Sequence, residues 1–95
     1  MIIAQVSLAP VGKGTSLSKY VKKAIEVFEK ENIKFRTNPM STVIETEDIE
    51  KLFDVIKKAH QSIIDLDVER VITEVKIDHR IDKNVDMDKK LDSLK

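Results

Sequence analysis

The chain has 95 residues, which suits one domain with a modest core, because a chain of this size buries only about 60–65% of the surface that its unfolded form exposes. Its 17 basic and 17 acidic residues balance, so charge gives no reason to expect nucleic acid or an anionic membrane as a partner, and its lack of cysteine excludes disulfides, zinc fingers and iron–sulfur clusters. No apolar run approaches the roughly 20 residues that span a bilayer, and we expect a cytoplasmic protein.

The first third of the chain predicts a strand, a loop and a helix. Residues 1–8 alternate in the way that is typical of a strand with one apolar face. Residues 9–15 form a loop that holds both glycines, and a helix begins near Ser16 or Ser18, either of which can cap its free N–H groups. The helix is expected to end near Asn32, because asparagine tolerates the left-handed conformation.

A β-hairpin is predicted at the centre of the chain. Residues 33–37 alternate as a second strand, and Asn38-Pro39 favours a turn because proline fixes its own φ and disfavours helix in the residue before it. The β-branched residues 42–44 then begin a third strand that reaches Glu45 and Thr46. A second helix, capped by Thr46 or Asp48, and a last strand over residues 69–78 follow.

The order of elements is β-α-β-β-α-β, the ferredoxin-like pattern. We therefore predict an α+β sandwich, a four-stranded antiparallel sheet with two helices on one face. Right-handed crossovers are expected to place the first and third strands side by side in the middle, and we expect this one pair to be parallel. The domain is expected to span residues 1–81. The remaining segment, 82–95, is a charged tail in which Met87, Leu91 and Leu94 are spaced like one face of a short helix that docks on the body or on a neighbouring subunit.

The face of the sheet opposite the helices is expected to receive no cover from this chain. It mixes isoleucines with polar groups, and the residues expected there are Ile3, Gln5, Ser7, Ile72, Glu74 and Lys76. Such a mixture suggests a partner sheet. We therefore expect a homodimer or a homotetramer.

Glu45 is the residue of the sheet whose presence most needs a reason. One interpretation is a surface charge at the end of a strand, as for most glutamates. The other places the carboxylate inside a subunit interface, where it is costly unless hydrogen-bonded or matched by a cation, so a cationic ligand would explain it. Gln5 and Ser7 on the adjacent strand can add neutral hydrogen-bonding groups.

The loop before the first helix is a second candidate site. There Gly12, Gly14, Thr15 and Ser16 could present backbone N–H groups and the helix dipole to an anion, although a flexible connection explains the same residues and the spacing is too short for a P-loop. We interpret His60 as a core or interface residue. We expect no catalytic residue, because no carboxylate–histidine–nucleophile set is readable from the spacing, and no metal, because two histidines without cysteines make a poor metal site.

Several short segments, taken in order, resemble one known family. They are Ile3–Ser7, Pro10–Gly14, Ser18–Val21, the hairpin Asn38–Glu45, His60, Arg70-Val71 and Lys76–Arg80. Together they resemble, over about residues 1–81, the thiamine-binding protein family of small ferredoxin-like domains. The hairpin is the most specific part, although family members often carry glycine where Ser41 stands.

The resemblance implies dimers that commonly pair into tetramers, and binding of thiamine or its pyrimidine moiety without catalysis and without a further cofactor. Thiamine carries a positive thiazolium and a flat aminopyrimidine, which suit a carboxylate, hydrogen-bonding groups and an apolar slot. The expected ligand-binding residues are Glu45, Ser7, Gln5, Asn38, Thr42, Met40 and Ile44.

Three other functions occur on the same strand order. A regulatory small-ligand domain of the amino-acid-sensing kind remains an alternative, although such a domain usually accompanies an enzyme domain, which we do not expect here. An acylphosphatase-like enzyme would need an arginine in the first loop, where this chain has only Lys13. An RNA-binding sheet stacks bases on aromatic residues of the first and third strands, and neither strand contains one.

Overall fold

The computed structural model describes residues 1–95. Its elements, in chain order, are β1 (Ile2–Pro10), α1 (Ser18–Lys30), β2 (Lys34–Thr37), β3 (Thr42–Thr46), α2 (Ile49–Ile64), β4 (Val71–His79) and α3 (Met87–Asp92). The predicted βαββαβ order is confirmed, with one short helix after it. None of the helices is both long enough and apolar enough to cross a membrane.

The four strands form one antiparallel sheet in the order β2-β3-β1-β4. β1 lies beside β3 in the middle, as predicted, but the pair is antiparallel, with Ile3 opposite Glu45, so the expected parallel pairing is wrong. The right-handed crossover makes β1 parallel to β2. Because β3 lies between these two strands and is joined to β2 by a tight hairpin, it is antiparallel to both.

The core lies between the sheet and the two long helices. Alternate residues of β1, namely Ile2, Ala4 and Val6, are almost completely buried against the helices. Phe28 of α1 is fully buried as well, and its ring centroid lies 5.9 Å from that of Phe35 in β2. The buried face of α2 consists of Leu52, Val55, Ile56, Ala59 and Ile63.

The two long helices begin in different ways. The carboxylate of Asp48 accepts a hydrogen bond from the backbone N–H of Lys51 at 2.7 Å, so one of the two predicted caps of α2 is confirmed. The N-cap of α1 is Leu17, which makes no side-chain capping bond, so neither predicted serine caps α1. Beyond the end of α1, Asn32 has a φ of 55°, the left-handed conformation expected for it.

Helix α3 folds back onto the sheet face that α1 and α2 leave open. Met87, its first residue, is 5% exposed and donates a hydrogen bond to Glu45 of β3. The expectation that this chain supplies no cover for that face is therefore wrong. The tail was predicted to dock either on the body of its own chain or on a neighbouring subunit, and in the structure it docks on the body of its own chain.

Candidate functional site

Glu45 lies on the open face of β3, between Ile3 of β1 and Lys34 of β2. Its side chain is buried, since the residue is only 6% exposed. The Oε1 atom accepts a hydrogen bond from the backbone N–H of Met87 at 3.0 Å. No basic group lies within ion-pair distance of this carboxylate. Glu45 is therefore a buried carboxylate that a backbone hydrogen bond compensates and no cation neutralises directly.

The basic residues beside Glu45 are engaged elsewhere. Lys34 and Arg36, on the open face of β2, both donate to the carboxylate of Asp88 in α3. The hydrogen bond to Asp88 raises the pKa of Lys34, and the charge of Glu45 adds a smaller contribution in the same direction. Lys34 and then Arg36 hold the pKa of Asp88 below its usual range. Lys34 is thus paired with Asp88, and its charge interacts with that of Glu45 only at longer range.

Two further contacts hold the tail on the sheet. Lys90 of α3 pairs with Asp78 of β4, and this hydrogen bond lowers the pKa of Asp78. The amino group of Met1 donates to the side-chain oxygen of Asn84. Together with Asp88, these contacts tie the tail to both edge strands and to the start of β1.

An open groove of about 640 Å³ lies between α3 and the sheet. The sheet contributes Ile3, Gln5 and Val43, and α3 and the residues after it contribute Met87, Leu91 and Leu94. Its polar and charged residues are Gln5, Arg36, Asn38, Lys76, Asp78 and Lys90. A volume of this size lies within the range of small-molecule sites, which combine apolar walls with a few polar groups.

A smaller cavity of about 130 Å³ lies at the hairpin end of the sheet. The hairpin itself is held by Asn38, whose side-chain oxygen accepts hydrogen bonds from the backbone N–H groups of Met40 and Ser41, both at 2.8 Å. Because the oxygen of the Asn38 amide makes these bonds, its NH₂ group takes no part in holding the turn.

The structure divides the predicted ligand-binding residues among three places. The smaller cavity is lined by Ser7, Asn38, Met40 and Thr42. Gln5 and Asn38 line the groove, and Glu45 lies two residues beyond Val43 on the same face of β3. Ile44 is fully buried in the core on the helix side and lines neither space. The groove therefore brings Gln5 and Asn38 together, but Glu45 is not among its lining residues and lines a separate space of about 360 Å³ beside Glu31 and Lys34. Met40, which is 84% exposed, belongs to the hairpin tip.

Sequence reasoning missed the contribution of the tail to this site. Met87 was predicted as part of an apolar helix face, but its hydrogen bond to Glu45 and the pairing of Asp88 with β2 were not. The available signal was weak: two basic residues on one face of β2, and one acidic residue on each side of Met87 in the tail.

The glycine loop has a local explanation. Gly12 and Gly14 have φ values of 86° and 79°, which L side chains rarely adopt, so both glycines serve the turn. Lys13 between them lies 3.7 Å from Asp67 in an ion pair. The loop residues Thr15 and Ser16 precede α1 without capping it. Anion binding by this loop stays a prediction.

His60 is satisfied by a neighbour in the sheet. Its Nδ1 atom lies 2.6 Å from the hydroxyl oxygen of Thr73 in β4, and the residue is half-buried. This geometry suits the interpretation of His60 as a core residue. No group of three or more histidine, aspartate or glutamate side chains is arranged to hold a metal ion.

The sequence matches known relatives over nearly its whole length. A family model described as "Thiamine-binding protein" matches residues 4–95. UPF0045 protein MJ1052 of Methanocaldococcus jannaschii is 46% identical over 93 residues, which cover 98% of this chain and 91% of that protein. UPF0045 protein YqgV of Bacillus subtilis is 37% identical over 99 residues, covering 99% of this chain and 94% of that protein.

The fold is shared as well. The crystal structure of MJ1052 has a TM-score of 0.90 to this chain at 46% identity, covering 98% of this chain and 94% of that one. A Thermotoga maritima protein proposed to act in thiamine biosynthesis or salvage, TM0486, has a TM-score of 0.84 at 18% identity, covering 99% and 98%, and shows the same fold. The resemblance seen in the hairpin and the first loop is thus confirmed, and the chain belongs to the thiamine-binding protein family.

Proposed function

We propose that this protein binds thiamine, or a related compound with pyrimidine and thiazolium rings, at an interface between two copies of the chain and without catalysing a reaction on it. The ligand lies in the groove between α3 and the sheet. The observation that carries this proposal is the buried carboxylate of Glu45, which no ion pair neutralises. Membership of the thiamine-binding protein family supports the choice of ligand.

The electrostatic argument concerns the cost of burying Glu45. A buried carboxylate loses its hydration, and a hydrogen bond from one backbone N–H compensates only part of that loss. A cation about 4 Å away would add roughly 4 kcal/mol of attraction at an effective dielectric constant of 20, before the desolvation of both groups is subtracted. The positive thiazolium ring supplies such a charge on a flat, weakly hydrated group.

The groove offers a matching set of groups for the rest of the ligand. Residues two apart on a strand are separated by about 6.7 Å, so Gln5, which lies opposite Val43, is about the width of one ring from the position of Glu45. Gln5 and the free NH₂ group of Asn38 provide hydrogen bonds for the aminopyrimidine. Ile3 and Met87 provide apolar surface against the faces of the rings.

In this proposal Glu45 contacts the tail and the ligand through different oxygen atoms. Oε1 is occupied by the N–H of Met87, so the ligand meets the carboxylate at Oε2. In this arrangement α3 forms one wall of the site.

A second copy of the chain completes the cover over the groove. Ile72, Leu91 and Leu94, on and beside the same face, are 44%, 50% and 81% exposed. Apolar side chains grouped around a groove favour contact with another protein surface. Because oligomers of one chain are usually symmetric, the same face of a second copy is the proposed partner.

A regulatory domain that senses an amino acid is the second candidate. One observation favours it: Lys76 lines the groove and belongs to no ion pair, so it could receive an amino-acid carboxylate while Glu45 receives the ammonium. This candidate requires a zwitterion and predicts no preference for heterocycles.

A thermal-shift screen separates the two candidates. We would test thiamine, thiamine monophosphate, thiamine diphosphate, hydroxymethylpyrimidine and the standard amino acids, each over a concentration series. A ligand that binds the folded form stabilises it by RT ln(1 + [L]/Kd), about 2.7 kcal/mol at a hundredfold excess over Kd. We expect stabilisation by thiamine compounds alone. Stabilisation by an amino acid alone would favour the second candidate, and chemical conversion of thiamine on incubation would contradict binding without catalysis.

A further inference from the structure

The charges on the open face of the sheet are separated by sign. One row of residues crosses all four strands, each residue opposite the next, and consists of Arg36, Val43, Gln5 and Lys76. All four residues line the groove between α3 and the sheet. This central row contains two basic side chains and no acidic one. Glu45 belongs to the neighbouring row and lines a separate space.

Lys76 is the basic residue of the central row that has no acidic partner. It is exposed on β4 and belongs to no ion pair. Arg36, at the other end of the row, donates to the carboxylate of Asp88. An ammonium group has three donors and no acceptor. All three donors of Lys76 are therefore available to water or to a ligand in the groove.

A second ammonium group lies on the same side of the groove. Lys90 of α3 pairs with Asp78, which lies two residues from Lys76 on the same face of β4. Asp78 is the only carboxylate among the residues that line the groove. It uses one donor of Lys90, so two donors of that ammonium group remain. The β4 side of the groove therefore carries two ammonium groups and one carboxylate.

This excess of positive charge suits an anion, and a phosphate monoester suits it best. A phosphate monoester carries a charge of about −1.5 to −2 at neutral pH and has three strong acceptor oxygens. Lysine is a common phosphate-binding residue, which acts as a point charge. A carboxylate offers only one negative charge to the two ammonium groups. The chemistry of the β4 side of the groove therefore favours phosphate over carboxylate.

We propose that Lys76 and Lys90 form a phosphate-binding site on the β4 side of the groove. This inference rests on the proposed function and makes a thiamine phosphate, rather than thiamine itself, the preferred ligand. The positive ring lies towards Glu45 and the phosphate towards Lys76, so each charge of the ligand meets its opposite. Lys76 is two strands and one row from Glu45, about 12 Å between Cα positions. The ring, the two-carbon arm and the phosphate of thiamine monophosphate span this distance together with a lysine side chain.

Isothermal titration calorimetry of thiamine and thiamine monophosphate tests this preference. In the wild type we expect thiamine monophosphate to bind about tenfold or more tightly than thiamine, because the phosphate adds charge-assisted hydrogen bonds. In Lys76→Gln, which removes one positive charge, we expect this ratio of affinities to fall by about fivefold or more. Lys57→Gln is the matched control, since Lys57 is an exposed lysine of α2 that belongs to no ion pair, and it should keep the wild-type ratio.

The two ways in which this experiment can fail have different meanings. Equal affinities of the wild type for thiamine and thiamine monophosphate would overturn the phosphate site and leave the proposed function standing. A preference for the phosphate that persists undiminished in Lys76→Gln would overturn the placement of the site at Lys76.

Inorganic phosphate tests the same site without the rings of thiamine. In an NMR titration with inorganic phosphate we expect the backbone amide signals of Lys76 and Lys90 to shift, and that of Lys57 to stay in place. The shifts should be smaller in Lys76→Gln. If no thiamine compound binds, the proposed function fails and this titration decides the inference alone. Shifts at Lys76 and Lys90 would then support the phosphate site, and their absence would overturn it.

Discussion

The backbone N–H of Met87 lies 3.0 Å from Oε1 of Glu45 and donates a hydrogen bond to it. This bond joins the first residue of the C-terminal helix to the third strand across the open face of the sheet. It shows that Glu45 is buried by the chain's own tail, and that the tail forms one side of the groove in which we place the ligand. In the proposed mode of binding, the stability of the tail and the binding of the ligand are therefore coupled at this carboxylate.

Removing the buried side chain of Met87 is expected to loosen the tail. Met87→Ala should lower the free energy of unfolding by about 2 kcal/mol, at the low end for a buried methionine because the residue packs at the margin of the fold. Leu94→Ala is the matched control, since Leu94 is 81% exposed, and should change it by less than about 0.5 kcal/mol. Urea denaturation followed by circular dichroism measures both. Equal effects in the two variants would show that α3 does not pack as described.

Docking of the tail on the sheet should weaken at acidic pH. Hydrogen bonds from Lys34 and Arg36 lower the pKa of Asp88, and a hydrogen bond from Lys90 lowers that of Asp78. A carboxyl group with a lowered pKa in the folded state stabilises it above its ordinary pKa of about 3.9, and this contribution is lost as the pH falls through the lowered value. The raised pKa of Lys34 has the opposite sign, so its contribution is lost only as the pH rises through that value, above about 10.4.

We therefore expect the amide NMR signal of Met87 to be constant between about pH 5 and pH 9 and to shift towards an undocked position below about pH 4. In Asp88→Asn the ion pairs of Lys34 and Arg36 with residue 88 are absent at all pH values. The change of the Met87 signal at acidic pH should therefore be smaller. A transition of Met87 centred near neutral pH would contradict the assignment of these ion pairs.

Two phenylalanines test the layout of the core. Phe28 is fully buried, and Phe28→Ala should reduce the free energy of unfolding by about 3–5 kcal/mol because it leaves a cavity between α1 and the sheet. Phe53 is 54% exposed on α2, and Phe53→Ala should cost about 1 kcal/mol or less. Urea denaturation measures both changes. A larger loss of unfolding free energy in Phe53→Ala than in Phe28→Ala would show that the buried face of α2 is not the one described.

The sequence predicted the fold from patterns that act locally. The alternation in β1, the Asn-Pro turn and the aspartate cap of α2 each depend on residues a few positions apart, and all three appear in the structure. The direction of β3 relative to β1 depends on the connection between them. It was mispredicted because the crossover rule applies to β1 and β2, and not to the strand that lies between them.

The candidate site was only partly predictable, because four of the 11 residues that line the groove come from the tail. The period of two along β3 places Glu45 on the open face, and the structure agrees. The position of Met87 against that carboxylate depends on a contact across 42 positions of the chain, for which a short apolar spacing carries no information. Ile44 was expected to supply part of the apolar slot for the ligand, but neighbouring residues of a strand face opposite sides of the sheet, and Ile44 is buried in the core on the side away from Glu45.

Isothermal titration calorimetry of thiamine with Glu45→Gln tests the central claim most directly. This substitution keeps the size of the side chain and an acceptor for Met87 but removes the charge, and Glu29→Gln, at an exposed position of α1, is the matched control. Loss of a charge-assisted interaction should weaken binding by about tenfold or more in Glu45→Gln and leave Glu29→Gln like the wild type. Equal affinity for thiamine in all three proteins would show that the buried carboxylate does not hold the ligand.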